Sequence, residues 1–289
     1  MAVIELFQAY GWFFVAVAGL LGLVVGSFLN VVVYRLPLMM EREWRSQCAE
    51  LLGQPEEETR EIFNLAVPPS RCTVCDRPIS ATENIPLLSY LLMRGRCACG
   101  RTPISVQYPL VELLTGILTA VVAWHFGVGW QALAAFFLTW ALIVLSIIDL
   151  KHQLLPDAIT LPWLWFGLAL ALFGIFVDLR ASVIGAMAGY LALWIVFHLY
   201  RLLTGKEGFG YGDFKLLGML GAWQGWQALG LIIILSSVVG AVIGIGMMLI
   251  MGRDRNVPMP FGPYLAVAGW ISLLWGAQLT ETYLGLLQP

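Results

Sequence analysis

The feature that most constrains this chain is a series of long apolar stretches without a charged residue. One runs for 24 residues from Gly11 to Tyr34, and another runs for 37 residues from Leu216 to Gly252. A helix needs about 20 apolar residues to cross a bilayer core of about 30 Å. These stretches are long enough to do so, and 60% of all residues are apolar. The sequence therefore predicts an integral membrane protein.

Further apolar stretches extend the pattern to eight predicted transmembrane helices. The run from Leu216 to Gly252 is too long for one crossing at about 1.5 Å per residue, and the polar break Gln224–Gln227 divides it into two helices. The other spans are predicted at Gly11–Tyr34, Ile104–Phe126, Val128–Ile148, Ala158–Val177, Ala181–Tyr200 and Met259–Thr280. We therefore predict an all-α polytopic membrane protein with about eight transmembrane helices.

The distribution of Lys and Arg predicts the orientation of these helices. Nine of the sixteen basic residues lie between Arg35 and Arg101. If the N-terminus is outside, fifteen of them face the cytoplasm and only Arg180 does not, which agrees with the positive-inside bias. The prediction is thus a first transmembrane helix at 1–34, a cytoplasmic insert at 35–103 and a seven-helix membrane core at 104–289, with both termini outside.

Composition also excludes one class of partner. Only 12% of the residues are charged, the formal net charge is -2, and no dense basic tract is present. A nucleic-acid partner would require concentrated positive charge. Membrane lipid is therefore the expected surrounding, and no nucleic acid is expected as a partner.

Two close pairs of cysteines in the insert predict a metal site. Cys72 and Cys75 are separated by 21 residues from Cys97 and Cys99. This spacing suits a tetrahedral site with four thiolates, for which zinc is the expected metal, and a fully ligated zinc is structural. Two disulfides or unliganded thiols are alternatives, although a reducing cytoplasm disfavours disulfides. Cys48 is left over as an ordinary thiol.

Two aspartates beside predicted spans are candidates for chemistry. Asp149 ends the third span, and Asp213 directly follows the glycine-rich segment Gly208–Gly212. In the predicted topology both lie on the cytoplasmic side, where facing aspartates can share a proton and activate a water molecule. This points to aspartic hydrolysis of a peptide bond. The alternative is two unrelated helix caps at the interface, because spacing in the sequence does not bring the residues together.

Two other acidic residues have plainer interpretations. Asp157 follows Pro156 at the start of a span, which is typical of helix capping. Glu112 lies inside the second predicted span, where it makes either a polar contact within the membrane or a functional contribution.

Several motifs, taken in order, resemble those of the bacterial type 4 prepilin peptidases. These are bifunctional leader peptidases and N-methyltransferases among the GxGD aspartic membrane proteases. The resemblance extends over nearly the whole chain and is carried by Gly26–Pro37, the two cysteine pairs, Glu83–Tyr90, Tyr108–Gly116, Asp149, Gly210–Lys215 and Pro260–Pro263.

The resemblance implies a function and a set of site residues. It implies cleavage, after a glycine, of the basic leader of type IV prepilins and of the pseudopilins of type II secretion. N-methylation of the new N-terminal residue follows, with S-adenosylmethionine as methyl donor. It implies a location in the bacterial inner membrane with the active site facing the cytoplasm. The implied catalytic pair is Asp149 and Asp213, and the implied zinc ligands are Cys72, Cys75, Cys97 and Cys99.

The binding site for the methyl donor is not predicted, because no glycine-rich nucleotide loop opens a βα unit. The resemblance admits a role for Glu112 in methyl transfer. The oligomeric state is not predicted either.

Two other classes of function stay open. A transporter would place Glu112, Asp149 and Asp213 along a substrate path. A membrane assembly scaffold would use the insert as a docking loop, and neutralising both aspartates would leave its function intact.

Overall fold

A computed structural model describes residues 2–53, 63–69, 71–72, 77–97, 103–205, 210–251 and 259–287. Over these ranges the regular structure is helical, and β pairing is limited to two isolated bridges. The predicted all-α class is confirmed. The helices are α1 (Ala2–Ala9), α2 (Gly11–Leu51), α3 (Leu88–Leu92), α4 (Gln107–Phe126), α5 (Trp130–His152), α6 (Asp157–Leu172), α7 (Leu179–Thr204), α8 (Tyr211–Gln224), α9 (Leu229–Met251) and α10 (Gly262–Leu287).

Each of the eight predicted spans overlaps a helix, and α6 ends at Leu172, five residues before the predicted end of the fourth span. The long uncharged run is divided as predicted, because α8 ends at Gln224 and a 3-10 turn at Trp226–Ala228 precedes α9. Within the described ranges, five helical segments are long and apolar enough to cross a membrane, namely α2, α4, α5, α7 and Trp226–Leu249. The chain is therefore a multi-pass membrane protein. Membrane crossing by α6, α8 and α10 stays a prediction.

The chain packs as two compact units, Met1–Val128 and Gly129–Pro289. In the first unit α2 lies along α4. Helix α2, which contains the first predicted span, is longer than that span, because it continues past Tyr34 to Leu51. The beginning of the predicted insert therefore belongs to the same helix as the first span. A 3-10 turn at Ala81–Asn84 and α3 follow later in the insert.

Local side-chain pairs support the polar part of α2. Arg45 donates a hydrogen bond to Glu41, and Gln47 donates one to Glu43. Pairs four residues apart lie on the same face of a helix and stabilise it by about 0.2–0.5 kcal/mol each. Pro37 lies inside the helix without ending it, although proline removes one backbone hydrogen bond.

Arg35 ties the later part of the insert to α2. It is buried, and its guanidinium donates to the carbonyl oxygens of Asn64 at 2.9 Å and Pro68 at 2.6 Å. The guanidinium of Arg42, further along α2, lies over the Phe63 ring, 4.1 Å from its centroid. A buried charge requires such hydrogen bonds. The residues that follow the undescribed segment 54–62 therefore return to α2.

Helix α8 forms the centre of the second unit. It packs against α6, α7 and α10. A helix that is apolar on all faces must be covered on all sides, and here neighbouring helices cover it. The indole N–H of Trp223 donates to the Trp163 carbonyl oxygen at 2.8 Å, which links α8 to α6. The fully buried side chains of α8 are Phe214, Leu216, Leu217, Met219, Leu220, Ala222 and Trp223.

Helices α7 and α8 touch through their backbones. A Cβ atom added to Gly185 would lie 2.2 Å from the Gly221 carbonyl oxygen, and one added to Gly221 would lie 2.2 Å from that of Gly185. Only glycine permits this approach, and small residues commonly bring membrane helices together in this way. The contact fixes the position of α8, and with it Asp213, against α7.

Candidate active site

Asp149 lies in the last turn of α5. The helix ends because Gln153 has a left-handed backbone with φ of 53°, and its N–H donates to the Asp149 carbonyl oxygen at 2.9 Å. A left-handed residue after the last turn is a common helix stop. Asp149 is only 6% exposed. Its carboxyl group therefore belongs to the protein interior.

One carboxyl oxygen of Asp149 is held by the first residue of α10. The Gly262 N–H donates to Oδ2 at 3.0 Å. The first N–H groups of a helix have no partner within the helix and favour a negative charge nearby. Glycine is needed here, because a Cβ atom at position 262 would lie 2.6 Å from this oxygen. Pro263 follows in the first turn, where its missing N–H removes no helical bond.

Asp213 is the third residue of α8 and is held by the residue before that helix. The Gly210 N–H donates to its Oδ2 at 3.1 Å, and the Asp213 N–H donates to the Gly210 carbonyl oxygen at 3.1 Å. This reciprocal pair resembles a capping box. Asp213 is 5% exposed, and its buried Oδ1 has no hydrogen-bond partner among the described residues. The hydrogen-bonding capacity of that oxygen is therefore unused among the described residues.

Asp149 and Asp213 lie close enough for their carboxyl groups to interact electrostatically. Leu155 packs against the backbone beside each of them. A Cβ atom on Gly212 would lie 2.7 Å from its Cβ, and one on Gly262 would lie 3.1 Å from its Cδ1. The two aspartates therefore share one buried, partly apolar site. Two such carboxyl groups can share a proton and orient a water molecule between them.

Asp157 is placed differently from the predicted cap. Pro156 is the capping residue and makes no side-chain capping bond, whereas Asp157 is the first helical residue of α6. Its two carboxyl oxygens accept from the Lys215 ammonium at 2.7 and 2.6 Å. The prediction that Asp157 caps α6 is therefore wrong. Its side chain instead forms an ion pair with Lys215 of α8. Asp157 is exposed, unlike the two buried aspartates.

Glu112 lies in the first unit, on α4, and is 8% exposed. Its Oε2 accepts the Leu87 N–H at 2.8 Å. Leu87 has a φ of 59°, a conformation unfavourable for a residue with a side chain. The predicted polar contact of Glu112 is therefore a hydrogen bond to a strained backbone segment.

Two of the four predicted zinc ligands, Cys75 and Cys99, lie outside the described residues. Cys72 and Cys97 are described, and both line a cavity in the first unit. In the part of the chain that the structure describes, no group of three or more His, Cys, Asp or Glu side chains could hold a metal ion. The four-cysteine site stays a prediction.

The sequence analysis predicted no individual role for three residues that lie beside these sites. Gly262 was part of the Pro260–Pro263 motif, but only the structure shows its contact with a carboxyl group. Lys215 follows Asp213 by two positions, and its ion pair depends on the packing of α6 and α8. Asn30 is polar within an uncharged run, and this departure from the apolar pattern was the available signal.

Comparison with protein families divides the chain into two matched regions. Residues 20–126 match the bacterial Peptidase A24 N-terminal domain, and residues 136–245 match the type IV leader peptidase family. The second region contains both Asp149 and Asp213. The first contains the cysteine pairs, Asn30 and Glu112.

Individual relatives match over nearly their whole length. The chain is 57% identical to a prepilin leader peptidase/N-methyltransferase of Stutzerimonas stutzeri, with 94% of each chain covered. Proteins of the same name from Pseudomonas aeruginosa and Aeromonas hydrophila are 53% and 54% identical, with 98% and 97% of each chain covered. No solved structure gives a significant match. With this identity over nearly the full length, the chain belongs to the type IV leader peptidase family.

Proposed function

We propose that this chain is a prepilin leader peptidase and N-methyltransferase of the bacterial inner membrane. It cleaves the basic leader of type IV prepilins and pseudopilins after a glycine, and then methylates the new N-terminal residue with S-adenosylmethionine. The observation that carries the peptidase activity is the pair of buried carboxyl groups that lie close enough to interact electrostatically. The names of three relatives more than 50% identical support both activities.

Asp149 and Asp213 are the proposed catalytic residues. With one proton shared between them, the ionised carboxyl group takes a proton from a water molecule, whose oxygen bonds to the scissile carbonyl carbon. The protonated carboxyl group donates to the carbonyl oxygen. The C–N bond then breaks, and the leaving amine takes the proton that the first carboxyl group had accepted from the water molecule. The N–H groups of Gly262 and Gly210 each hold one carboxyl oxygen, so the other oxygens can face the water and the peptide.

The proposed orientation places this pair at the cytoplasmic side of the membrane. It rests on the distribution of Lys and Arg, fifteen of which face the cytoplasm in an eight-span topology. A prepilin is an apolar helix with a basic leader, and the same bias keeps that leader in the cytoplasm. Its scissile bond then lies beside the aspartate pair without being drawn through the bilayer.

A structural zinc ion on the four cysteines is part of the proposal. Each described cysteine lies next to an isolated antiparallel bridge, Arg71–Pro78 beside Cys72 and Arg96–Pro103 beside Cys97. In the sequence, one cysteine pair lies between the two partners of each bridge. Short closed loops of this kind bring neighbouring thiolates to one metal ion. The ion would join the two loops of the insert, and all four of its ligand positions would be filled.

Replacing Cys72 by serine is expected to lower the zinc content of the purified protein by about 10-fold or more, because one of four thiolates is lost. Zinc per chain is measured by mass spectrometry after removal of free metal. Cys48→Ser is the matched control, since Cys48 is exposed on α2, and it should retain the zinc of the wild type. Absence of zinc from the wild type, with all four insert thiols freely reactive, would refute the site.

The test of the proposed function uses the full-length protein in liposomes with a type IV prepilin. With S-adenosylmethionine present, the expected product lacks its leader and has gained the mass of one methyl group. Without the methyl donor, the product should lack the leader only. A transporter or a scaffold would leave the prepilin intact in both reactions, and that result would contradict the proposal.

A further inference from the structure

The first unit contains a cavity of about 400 Å³ that the cleavage chemistry does not use. Its wall includes Asn30 and Tyr34 of α2, Tyr90 of α3, and Tyr108 and Glu112 of α4. A cavity of this size suits a small organic ligand. The aspartate pair belongs to the other unit, so this cavity requires a separate explanation.

Asn30, one of the residues that line this cavity, carries a buried acceptor without a described partner. The residue is 3% exposed, and its amide nitrogen donates to the carbonyl oxygens of Gly26 at 3.3 Å and Tyr108 at 3.1 Å. Its buried Oδ1 has no hydrogen-bond partner among the described residues. Leaving a buried acceptor unpaired costs about 1–3 kcal/mol. A hydrogen-bond donor on a ligand that reached this oxygen would remove that cost.

Glu112 is a buried acidic residue of the wall that pairs with no cation within the described ranges. Its carboxyl group accepts hydrogen bonds from the Leu87 N–H at 2.8 Å and from the Ser27 hydroxyl. Arg35 and Arg71 also line the wall, but the guanidinium of Arg35 is held by the carbonyl oxygens of Asn64 and Pro68. The other acidic residue of the wall is Glu83, and its carboxylate does have a cation as partner. The Ser80 N–H holds the pKa of Glu83 below its usual range, and Arg77 pairs with its carboxylate at 2.8 Å. A buried carboxyl group without a cation favours a positively charged ligand.

The three tyrosines add aromatic surface to the same wall. Aromatic rings attract cations through their faces, and they also stack on flat nucleobases. A ligand that combines a positive charge, hydrogen-bond donors and a flat ring system would use the acidic residue, the free acceptor and the rings together. S-adenosylmethionine has these three features in its sulfonium, its amino groups and its adenine.

We propose that this cavity binds S-adenosylmethionine, with Glu112 complementing the positive charge, Asn30 accepting a hydrogen bond and the tyrosines covering the adenine or the sulfonium. The inference rests on the proposed methyltransferase activity and gives it a binding site in the first unit. It also assigns the two activities to different units, since the aspartate pair lies in the second. A choline lipid head group is a rival occupant, because it too is a cation.

The charge of the ligand provides the test. S-adenosylhomocysteine has the same adenosine but a neutral sulfur, so wild-type protein in detergent should bind it more weakly, by about 10-fold, in calorimetry. Glu112→Gln keeps an acceptor for Leu87 but removes the charge, and should abolish most of this preference. The matched control is Thr119→Val, a buried polar residue of α4 that does not line the cavity. It should bind both ligands as the wild type does.

The location is tested independently by ultraviolet cross-linking of labelled S-adenosylmethionine to wild-type protein, followed by peptide mapping. The label is expected on peptides that contain Tyr34, Tyr90 or Tyr108. Label confined to residues 129–289, or an unchanged preference for the charged ligand in Glu112→Gln, would overturn the assignment. Competition by phosphocholine but not by S-adenosylhomocysteine would assign the cavity to lipid.

Two controls separate this inference from the proposed function. If Glu112→Gln fails to fold, Asn30→Leu replaces it, with a lower affinity for S-adenosylmethionine expected. If wild-type protein cleaves and methylates a prepilin but the label lies elsewhere, the function stands and only the cavity assignment fails. If wild-type protein cleaves without methylating, the proposed methyltransferase activity itself fails.

Discussion

Replacement of either Asp149 or Asp213 by asparagine is expected to lower the rate of leader cleavage by about 10³-fold or more. Asparagine has nearly the shape of aspartate but can neither take up nor release the proton that the proposed reaction requires. Such a decrease corresponds to about 4 kcal/mol in the activation free energy. Because the two carboxyl groups act as one unit, the double variant should be little slower than either single variant.

Asp157→Asn is the matched control for this experiment. Asp157 also lies in the second unit, but it is exposed and pairs with Lys215. An exposed ion pair contributes about 0–1 kcal/mol, so the control should cleave within about 5-fold of the wild type. Rates are measured with a prepilin in liposomes at matched protein levels. Normal cleavage by either buried-aspartate variant would rule out the two-aspartate mechanism.

Replacement of Gly262 by alanine is expected to reduce leader cleavage by about 100-fold while the protein remains folded. The added methyl group would lie 2.6 Å from the Asp149 Oδ2 and 3.1 Å from Leu155. The carboxyl group must therefore move away from the N–H that holds it. A displacement of about 1 Å at a catalytic group is enough for a loss of this size.

Gly285→Ala is the control in the same helix, because a Cβ atom at position 285 meets no atom within 4 Å. It should cleave at the wild-type rate and be as stable as the wild type or slightly more so, since alanine favours a helix. Thermal unfolding of both variants separates a misplaced carboxyl group from a misfolded protein. Full activity of a folded Gly262→Ala variant would show that the contact between α10 and Asp149 is dispensable.

Much of the helical pattern follows from the sequence, because apolar runs and their polar breaks are local features. Gln224–Gln227 separates two helices as predicted. Helix ends were less predictable. The first span was predicted to end at Tyr34, since charge begins at Arg35, but the helix continues to Leu51. Composition marks where the apolar part of α2 ends, but it does not mark where the helix ends.

The candidate site was predictable in its acidic residues but not in what surrounds them. Asp149 and Asp213 were conspicuous because charges are rare beside membrane spans. Their common site arises from the packing of α5, α8 and α10, which spacing does not reveal. The N–H that holds Asp149 belongs to Gly262, more than 100 positions away. The backbone contact of Gly185 with Gly221 is equally invisible, since many glycines in the sequence meet no such neighbour.

The unbroken course of α2 has a mechanical consequence. Its 41 residues, with Pro37 inside the helix, give a continuous helix about 60 Å long at 1.5 Å per residue, about twice the thickness of the hydrocarbon core. Because the helix is continuous and Arg35 holds residues 64 and 68 against it, tilting its apolar half in a thinner or thicker membrane would also move the polar half. A change in lipid thickness would thereby reach the cavity proposed for the methyl donor, whose wall includes Asn30 and Tyr34 of the same helix.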